Sequence, residues 1–137
     1  MTDFATLERP RTPNTYLVAP EGACGASAPD RLSATLDVTP DALFAAALAA
    51  VRALKGAGEV ETDAQARTIA AVVRTPLLRF KDDLDVRVVP RSDGAALCAY
   101  SRSRVGHSDL GANKKRVEAL IADIHDRLGS PGEGARS

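Results

Sequence analysis

The sequence has 137 residues, which is the length of one domain with a hydrophobic core. It is 45% hydrophobic and 26% charged but only 4% aromatic, so Leu, Val, Ile and Ala must build that core. The eighteen basic and eighteen acidic residues cancel, which argues against attraction of the whole molecule to nucleic acid, and we predict no nucleic-acid partner. No apolar run is long enough for an integral membrane segment, and no apolar leader is present, so we expect a soluble cytoplasmic protein.

Cysteine and histidine are too sparse to indicate a metal or redox site. Cys24 and Cys98 are far apart, and the apolar surroundings of Cys98 favour a buried, unreactive thiol. His107 and His125 have no neighbouring cysteines or carboxylates at ligand spacing. Glycine-rich phosphate-binding motifs are also absent, so we predict no metal and no cofactor.

Composition divides the chain into an arm, a domain and a tail. Residues 1–31 are rich in Pro, Gly, Ala and Ser, which predicts an extended N-terminal arm whose residues 14–20 are apolar enough to lie against the body. Residues 32–129 are expected to form a single domain, and residues 130–137 a disordered tail.

The domain begins with a predicted strand and helix. Residues 32–38 alternate between apolar and polar side chains, as in a half-buried strand. Thr39 is a suitable helix N-cap and Pro40 suits the first helical position. An apolar stripe follows at helical spacing, and Gly56 and Gly58 are expected to end the helix.

Four strands and a final helix follow. Strands are predicted around residues 60–62, over 68–73 with an interruption at 75–76, over 84–88 and over 95–105, with a hairpin turn at 92–94. The acidic stretch 81–83 is interpreted as a turn. The last helix is predicted from Ser108 or Asp109 to Leu128, with Gly129 as its C-terminal cap.

This order predicts an α+β fold. We expect a two-layer domain with an antiparallel sheet of about five strands and two helices on one face, in the order strand, helix, four strands, helix.

The return strand carries the first candidate for a binding surface. Alternation puts Leu97, Ala99, Ser101, Ser103 and Val105 on one face and Cys98, Tyr100, Arg102 and Arg104 on the other. If the first set faces the helices, the arginines line the open face near Asp85 and Arg87. A salt-bridged sheet surface is the simpler interpretation, and a concave basic face that holds an anionic or polar ligand is the alternative.

The turn before the last helix is a second candidate. Backbone N–H groups at a helix N-terminus attract anions, but Ser108 or Asp109 can satisfy them as an N-cap, which favours a structural role. The neighbours His107, Ser108 and Asp109 are too close in sequence to converge as a catalytic triad.

A long motif resembles a known family. The stretches 78–83, LRFKDD, and 101–116, SRSRVGHSDLGANKKR, are similar to the signature of domain-of-unknown-function family 1499, and the resemblance covers roughly residues 10–128. It implies a small α+β domain of bacteria and plastids with no established activity. It marks these signature positions as candidate ligand-binding residues: Arg79, Asp82, Asp83, Arg102, Arg104, Ser108, Asp109, Asn113 and Arg116.

Three functions remain open from the sequence. The first is non-catalytic binding of a small, amphipathic or anionic ligand, or of a protein partner, over the sheet and the helix N-terminus. A cavity lined by Leu and Val would favour an apolar ligand, and a basic open face an anion. The second is an enzyme that uses Asp82 or Asp83 as acid or base while Arg102 or Arg104 orients an acidic substrate. The third is a purely structural or assembly module.

Overall fold

The computed structural model describes residues 3–7, 15–23, 28–76, 79–104 and 111–129. Within them lie six strands, two α-helices and a short 3-10 turn at Phe4–Thr6. The strands and helices are β1 (Thr15–Ala19), β2 (Arg31–Leu32), α1 (Pro40–Ala53), β3 (Ala57–Asp63), β4 (Thr68–Arg74), β5 (Lys81–Arg91), β6 (Gly94–Ser103) and α2 (Ala112–Leu128).

The strands form one sheet in the order β2-β1-β6-β5-β4-β3. All neighbours are antiparallel except β1 and β2, which run parallel. The predicted α+β fold with a mostly antiparallel sheet is confirmed, with six strands instead of about five. The additional strand is β1, from the segment predicted as an arm, and it pairs with β6 at the far end of the chain.

Local signals set the bounds of α1. Thr39 accepts a hydrogen bond from the Ala42 amide at 3.1 Å, and Pro40 opens the helix. The chain then turns at Gly56, whose φ is +85° and where a Cβ would lie 2.3 Å from the carbonyl oxygen of Arg74. The predicted cap and first residue are therefore present, whereas the helix ends at Ala53 with Leu54 as its C-cap, two residues before Gly56.

Two local predictions are wrong. The strand expected over residues 32–38 is reduced to β2 and an isolated bridge between Leu36 and Ala95, because the segment leaves β1 after Leu32 and crosses to the start of β6. Residues 81–83 are not a turn but the start of β5, where Asp82 pairs with Ser103 and Asp83 with Arg102. Pairing on both sides by β4 and β6 overrides the turn preference of two consecutive acids.

Helix α2 ends where the sequence predicts. Gly129 caps it with φ +74° and donates its N–H to the carbonyl oxygens of Asp126 and His125. The helix begins after Gly111, whose φ is +82° and which offers no side-chain cap. The predicted start at Ser108 or Asp109 lies outside the described residues.

Both helices pack on one face of the sheet around the main core. The helices contribute Leu43, Ala47, Val51, Val117, Leu120 and Ile124, and the strands contribute Val18, Ile69, Leu84, Val86, Val88, Leu97 and Ala99. The opposite face is not uniformly open as predicted. A second cluster covers its β1–β6 part, where Phe4 and Leu7 pack on Leu17, Cys98 and Tyr100.

Candidate functional site

Strands β5 and β6 divide the signature positions between the two faces of the sheet. Successive side chains of a strand point in opposite directions. Asp82 therefore lies on the helix side, where it contacts Arg116 of α2, and Asp83 lies on the opposite side with Arg102 and Arg104. The two acids cannot act as an acid–base pair on one substrate, because the sheet separates them.

The helix side holds a buried polar network that joins α2 to the sheet. Arg116 Nη1 lies 2.9 Å from Asp82 Oδ2 and 3.0 Å from both Ser101 Oγ and Asn113 Oδ1. Ser101 Oγ donates to Asn113 Oδ1, and Asn113 Nδ2 donates to Ser103 Oγ at 3.0 Å. Sequence alternation predicts that both serines lie on one face of β6, and the structure shows that this is the face towards the helices, where Asn113 links strand and helix.

Asp82 carries one incompletely satisfied oxygen. The residue is 2% exposed, and its Oδ1 has no hydrogen-bond partner within the described part of the chain. A buried carboxylate needs a compensating charge, which Arg116 supplies with a side chain only 10% exposed. This pair therefore fixes α2 to β5 from the inside of the molecule.

The opposite face carries a groove with charges of both signs. Its volume is about 250 Å³, and its lining includes Glu59, Glu61, Asp83, Asp85, Arg102 and Arg104. Arg104 binds Asp83 through two hydrogen bonds of 2.9 and 3.1 Å, which raise the pKa of Arg104 above its ordinary value. Arg102 lies 3.5 Å from Asp85 and 3.7 Å from Asp83.

The simpler interpretation, a salt-bridged sheet surface, therefore describes this groove, and the alternative of a basic concave face does not. Four carboxylates and two arginines line it, which leaves an excess of two negative charges among the described residues. The sequence window 101–116 contains five cations and Asp109. The compensating acids come from β5 and β3. The predicted cross-strand pairing of arginine with Asp85 is present.

The remaining signature position that the structure describes, Arg79, joins neither group. Arg79 is exposed in the connection between β4 and β5, with φ +55°, and its amide donates to the Thr75 carbonyl at 3.1 Å. Ser108 and Asp109 lie outside the described residues. The candidate set is thus split between a buried network, a charged groove and an exposed turn.

A cavity between the helices and the sheet is a third feature. Its volume is about 100 Å³. The apolar part of its lining comes from β1, α1, β6, α2 and the 32–36 segment, and comprises Val18, Leu32, Ala34, Leu36, Leu43, Leu97, Ile121 and Ile124. Three polar side chains complete the lining, namely Arg31, Ser33 and His125. Ser33 Oγ donates to the Leu97 carbonyl at 2.8 Å.

A buried tyrosine lies on β1, in the same core cluster as Val18 of the cavity lining. The Tyr16 hydroxyl donates to Glu118 Oε2 at 3.0 Å. Burial and the negative charge of Glu118 raise the pKa of Tyr16 above 10.0, while the positive charge of Arg31 acts in the opposite direction. The guanidinium of Arg31 is therefore near enough to influence the end of β1.

The cavity and its polar rim were not predicted from the sequence. Arg31 belongs to the segment predicted as an arm, and it is not part of a recognisable motif. The one signal was the apolar character of residues 14–20, which indicated that this segment contacts the body.

These features define an α+β domain whose two helices cover one face of a mostly antiparallel sheet. The chain belongs to the family described as "Protein of unknown function (DUF1499)", whose model matches residues 7–124. No curated protein matches it. Among the described residues, no helix combines the length and apolar character needed to cross a membrane.

Two solved structures are similar at low sequence identity. The di-domain ARO/CYC BexL from the BE-7585A biosynthetic pathway aligns with TM-score 0.44 and 14% identity over 74% of this chain, which spans 44% of the BexL chain. A conserved protein from Geobacillus kaustophilus aligns with TM-score 0.41 and 11% identity over 72% of this chain and 93% of its own. At these TM-scores, neither structure bears on the function.

Proposed function

We propose that the protein binds a small molecule that has a short apolar group, and that the cavity between the helices and the sheet receives this group. The observation that carries the proposal is the cavity itself, because apolar side chains of both helices and of the sheet line it. Close-packed protein interiors contain few voids larger than a water molecule. A cavity that opens between polar side chains is thus better explained as a binding site than as a packing defect.

The size of the cavity limits the ligand. About 100 Å³ is smaller than the roughly 300–1,000 Å³ of pockets for drug-sized molecules. It approaches the apolar cavity of about 150 Å³ that admits benzene in an engineered protein. The apolar group should therefore be a short alkyl chain or a single ring.

The charged groove supports this function less well. Its arginines already contact Asp83 and Asp85, so a ligand would have to displace an ion pair to bind either guanidinium. The alternative of an enzyme with Asp82 or Asp83 as acid or base and Arg102 or Arg104 as the substrate-orienting residue is also less favoured. Asp82 lies on the opposite face from both arginines, and Asp83 already forms ion pairs with them.

Titration with straight-chain alcohols, followed by NMR of the methyl groups, tests the proposal. Each methylene added from butanol to hexanol should tighten binding about fourfold, because burying a methylene contributes about 0.8 kcal/mol. The methyl signals of Ile121, Ile124 and Leu36 should shift in a saturable manner. Absence of saturable shifts would contradict the proposal.

A pair of variants on α2 provides the matched control. Ile121 and Leu128 are both half-buried against the main core, but only Ile121 lines the cavity. Ile121→Phe should fill part of the cavity and weaken hexanol binding about tenfold or more, whereas Leu128→Phe should stay within about twofold. Equal binding by wild type and Ile121→Phe would place the ligand elsewhere.

A further inference from the structure

Arg31 places a positive charge at the rim of the cavity. Arg31 pairs in register with Val18 of β1, and neighbours across a strand pair lie on the same face. Val18 belongs to the main core on the helix side. Arg31 therefore projects on the side of the sheet that contains the cavity, and it is part of the lining.

Within the described part of the chain, the guanidinium of Arg31 has no carboxylate partner. Among those residues it makes no ion pair and no side-chain hydrogen bond, in contrast to Arg116, whose charge is compensated inside the core. Arg31 is exposed, so its side chain can turn towards a ligand at little cost. A planar guanidinium binds a carboxylate through two parallel hydrogen bonds.

Two acids that act on Tyr16 together with Arg31, namely Asp30 and Glu118, limit the charge of such a ligand. Asp30 Oδ2 accepts a hydrogen bond from the Leu17 amide at 2.9 Å, and Glu118 Oε2 accepts one from Tyr16. Both acids influence the same tyrosine as Arg31 does, so all three charges share one neighbourhood. Their negative charges oppose a dianion more strongly than a monoanion.

We propose that the ligand is a small monocarboxylate whose carboxylate binds Arg31 and whose short alkyl chain enters the cavity. This inference rests on the proposed function, since it assigns the head group of the molecule that the cavity receives. It predicts that charge, and not only chain length, determines which molecules bind.

The test compares hexanoate with hexanamide, which has the same chain length and no charge. Wild type should bind hexanoate about two- to fivefold more tightly than hexanamide, a modest ratio because Arg31 is exposed to solvent. Arg31→Gln should remove this preference while leaving hexanamide binding unchanged. Arg52→Gln, at an exposed position of α1 outside the cavity lining, should retain the preference.

The outcomes separate the two proposals. Failure of both ligands to bind wild type would overturn the proposed function and this inference with it. Equal binding of both ligands, unchanged in Arg31→Gln, would overturn the monocarboxylate assignment alone. A preference for hexanoate that survives Arg31→Gln would show that another residue binds the head group and would also overturn the assignment.

Discussion

At the scale of single residues, Asp82 and Asp83 show how neighbours in sequence acquire different environments. Asp82 is 2% exposed and pairs with a nearly buried arginine, whereas Asp83 pairs with Arg104, whose side chain is 47% exposed. Water screens the outer pair but not the inner one. The two carboxylates should therefore differ in their contribution to the free energy of unfolding.

Asp82→Asn should lower the free energy of unfolding by about 3–5 kcal/mol, because it leaves Arg116 charged and buried without its counter-ion. Asp83→Asn, the matched change on the outer face, should cost roughly 1 kcal/mol or less. Urea unfolding measures both. The double variant Asp82→Leu with Arg116→Met should recover much of the loss, since a buried ion pair can be replaced by apolar side chains. Equal losses for the two single variants would contradict the buried role of Asp82.

The environment of Tyr16 predicts that the stability of the protein changes with pH in the alkaline range. The pKa of Tyr16 in the folded state is raised above 10.0 by burial and by Glu118, so the folded protein keeps the phenolic proton where the unfolded chain loses it. The contribution of Tyr16 to the free energy of unfolding is therefore complete below pH 10.0, and it is lost as the pH rises through the folded-state pKa of Tyr16.

Urea unfolding of wild type and Tyr16→Phe across this range measures the effect. The wild-type free energy of unfolding should fall more steeply with pH than that of Tyr16→Phe, because lysines titrate equally in both proteins. Parallel curves would show that the pKa of the Tyr16 hydroxyl is the same in the folded and unfolded states, which would contradict the prediction.

At the scale of elements, the β5–β6 hairpin is held to the segment before α1 by a close backbone approach. Leu36 and Ala95 exchange hydrogen bonds of 2.8 and 3.0 Å between their amides and carbonyls. A Cβ at Gly94 would lie 1.9 Å from the Leu36 carbonyl oxygen, and the φ of Gly94 is +150°. Glycine is therefore required at this position for two independent reasons.

Gly94→Ala should lower the free energy of unfolding by about 2–5 kcal/mol, the sum of a strained backbone and a steric displacement of Leu36. Gly22→Ala is the control. Gly22 also has a positive φ, +81°, but no described atom lies within 4 Å of the position that a Cβ would occupy, so only the backbone strain of about 1–2 kcal/mol applies. Thermal and urea unfolding measure the difference, and equal losses would argue against the close approach.

At the scale of the whole molecule, the structural features that the sequence predicts correctly are those that local sequence signals determine. The cap and proline of α1, the glycine after α2 and the alternation of β6 all act within a few residues, and the structure confirms them. Strand β1 was not predicted because its partner, β6, is remote in the sequence. The acidic stretch 81–83 was assigned to a turn for the same reason, since only its partners in β4 and β6 determine that it is a strand.

The candidate sites, like the elements of the fold, were predictable only where they depend on residues that lie close together in the sequence. The buried network contains three residues that lie close in the sequence, namely Ser101, Asn113 and Arg116. The family signature selected two of them, Asn113 and Arg116. The sign of the charge in the open groove could not be read from residues 101–116, because the acids that reverse it belong to other strands. The cavity required β1, the 31–36 segment and both helices to be placed together, and no single stretch encodes that arrangement.

The pairing of β1 with β6 also affects how the chain is made. Thr15 pairs with Arg102, and Tyr16 bonds Glu118, so the first strand has no place in the sheet until most of the chain has been synthesised. At typical rates of translation, Leu17 and Val18 would wait on the order of ten seconds for their partners. During that interval their apolar side chains are exposed to other nascent chains. The exposure ends when β6 pairs with β1, because the finished domain buries both of these side chains.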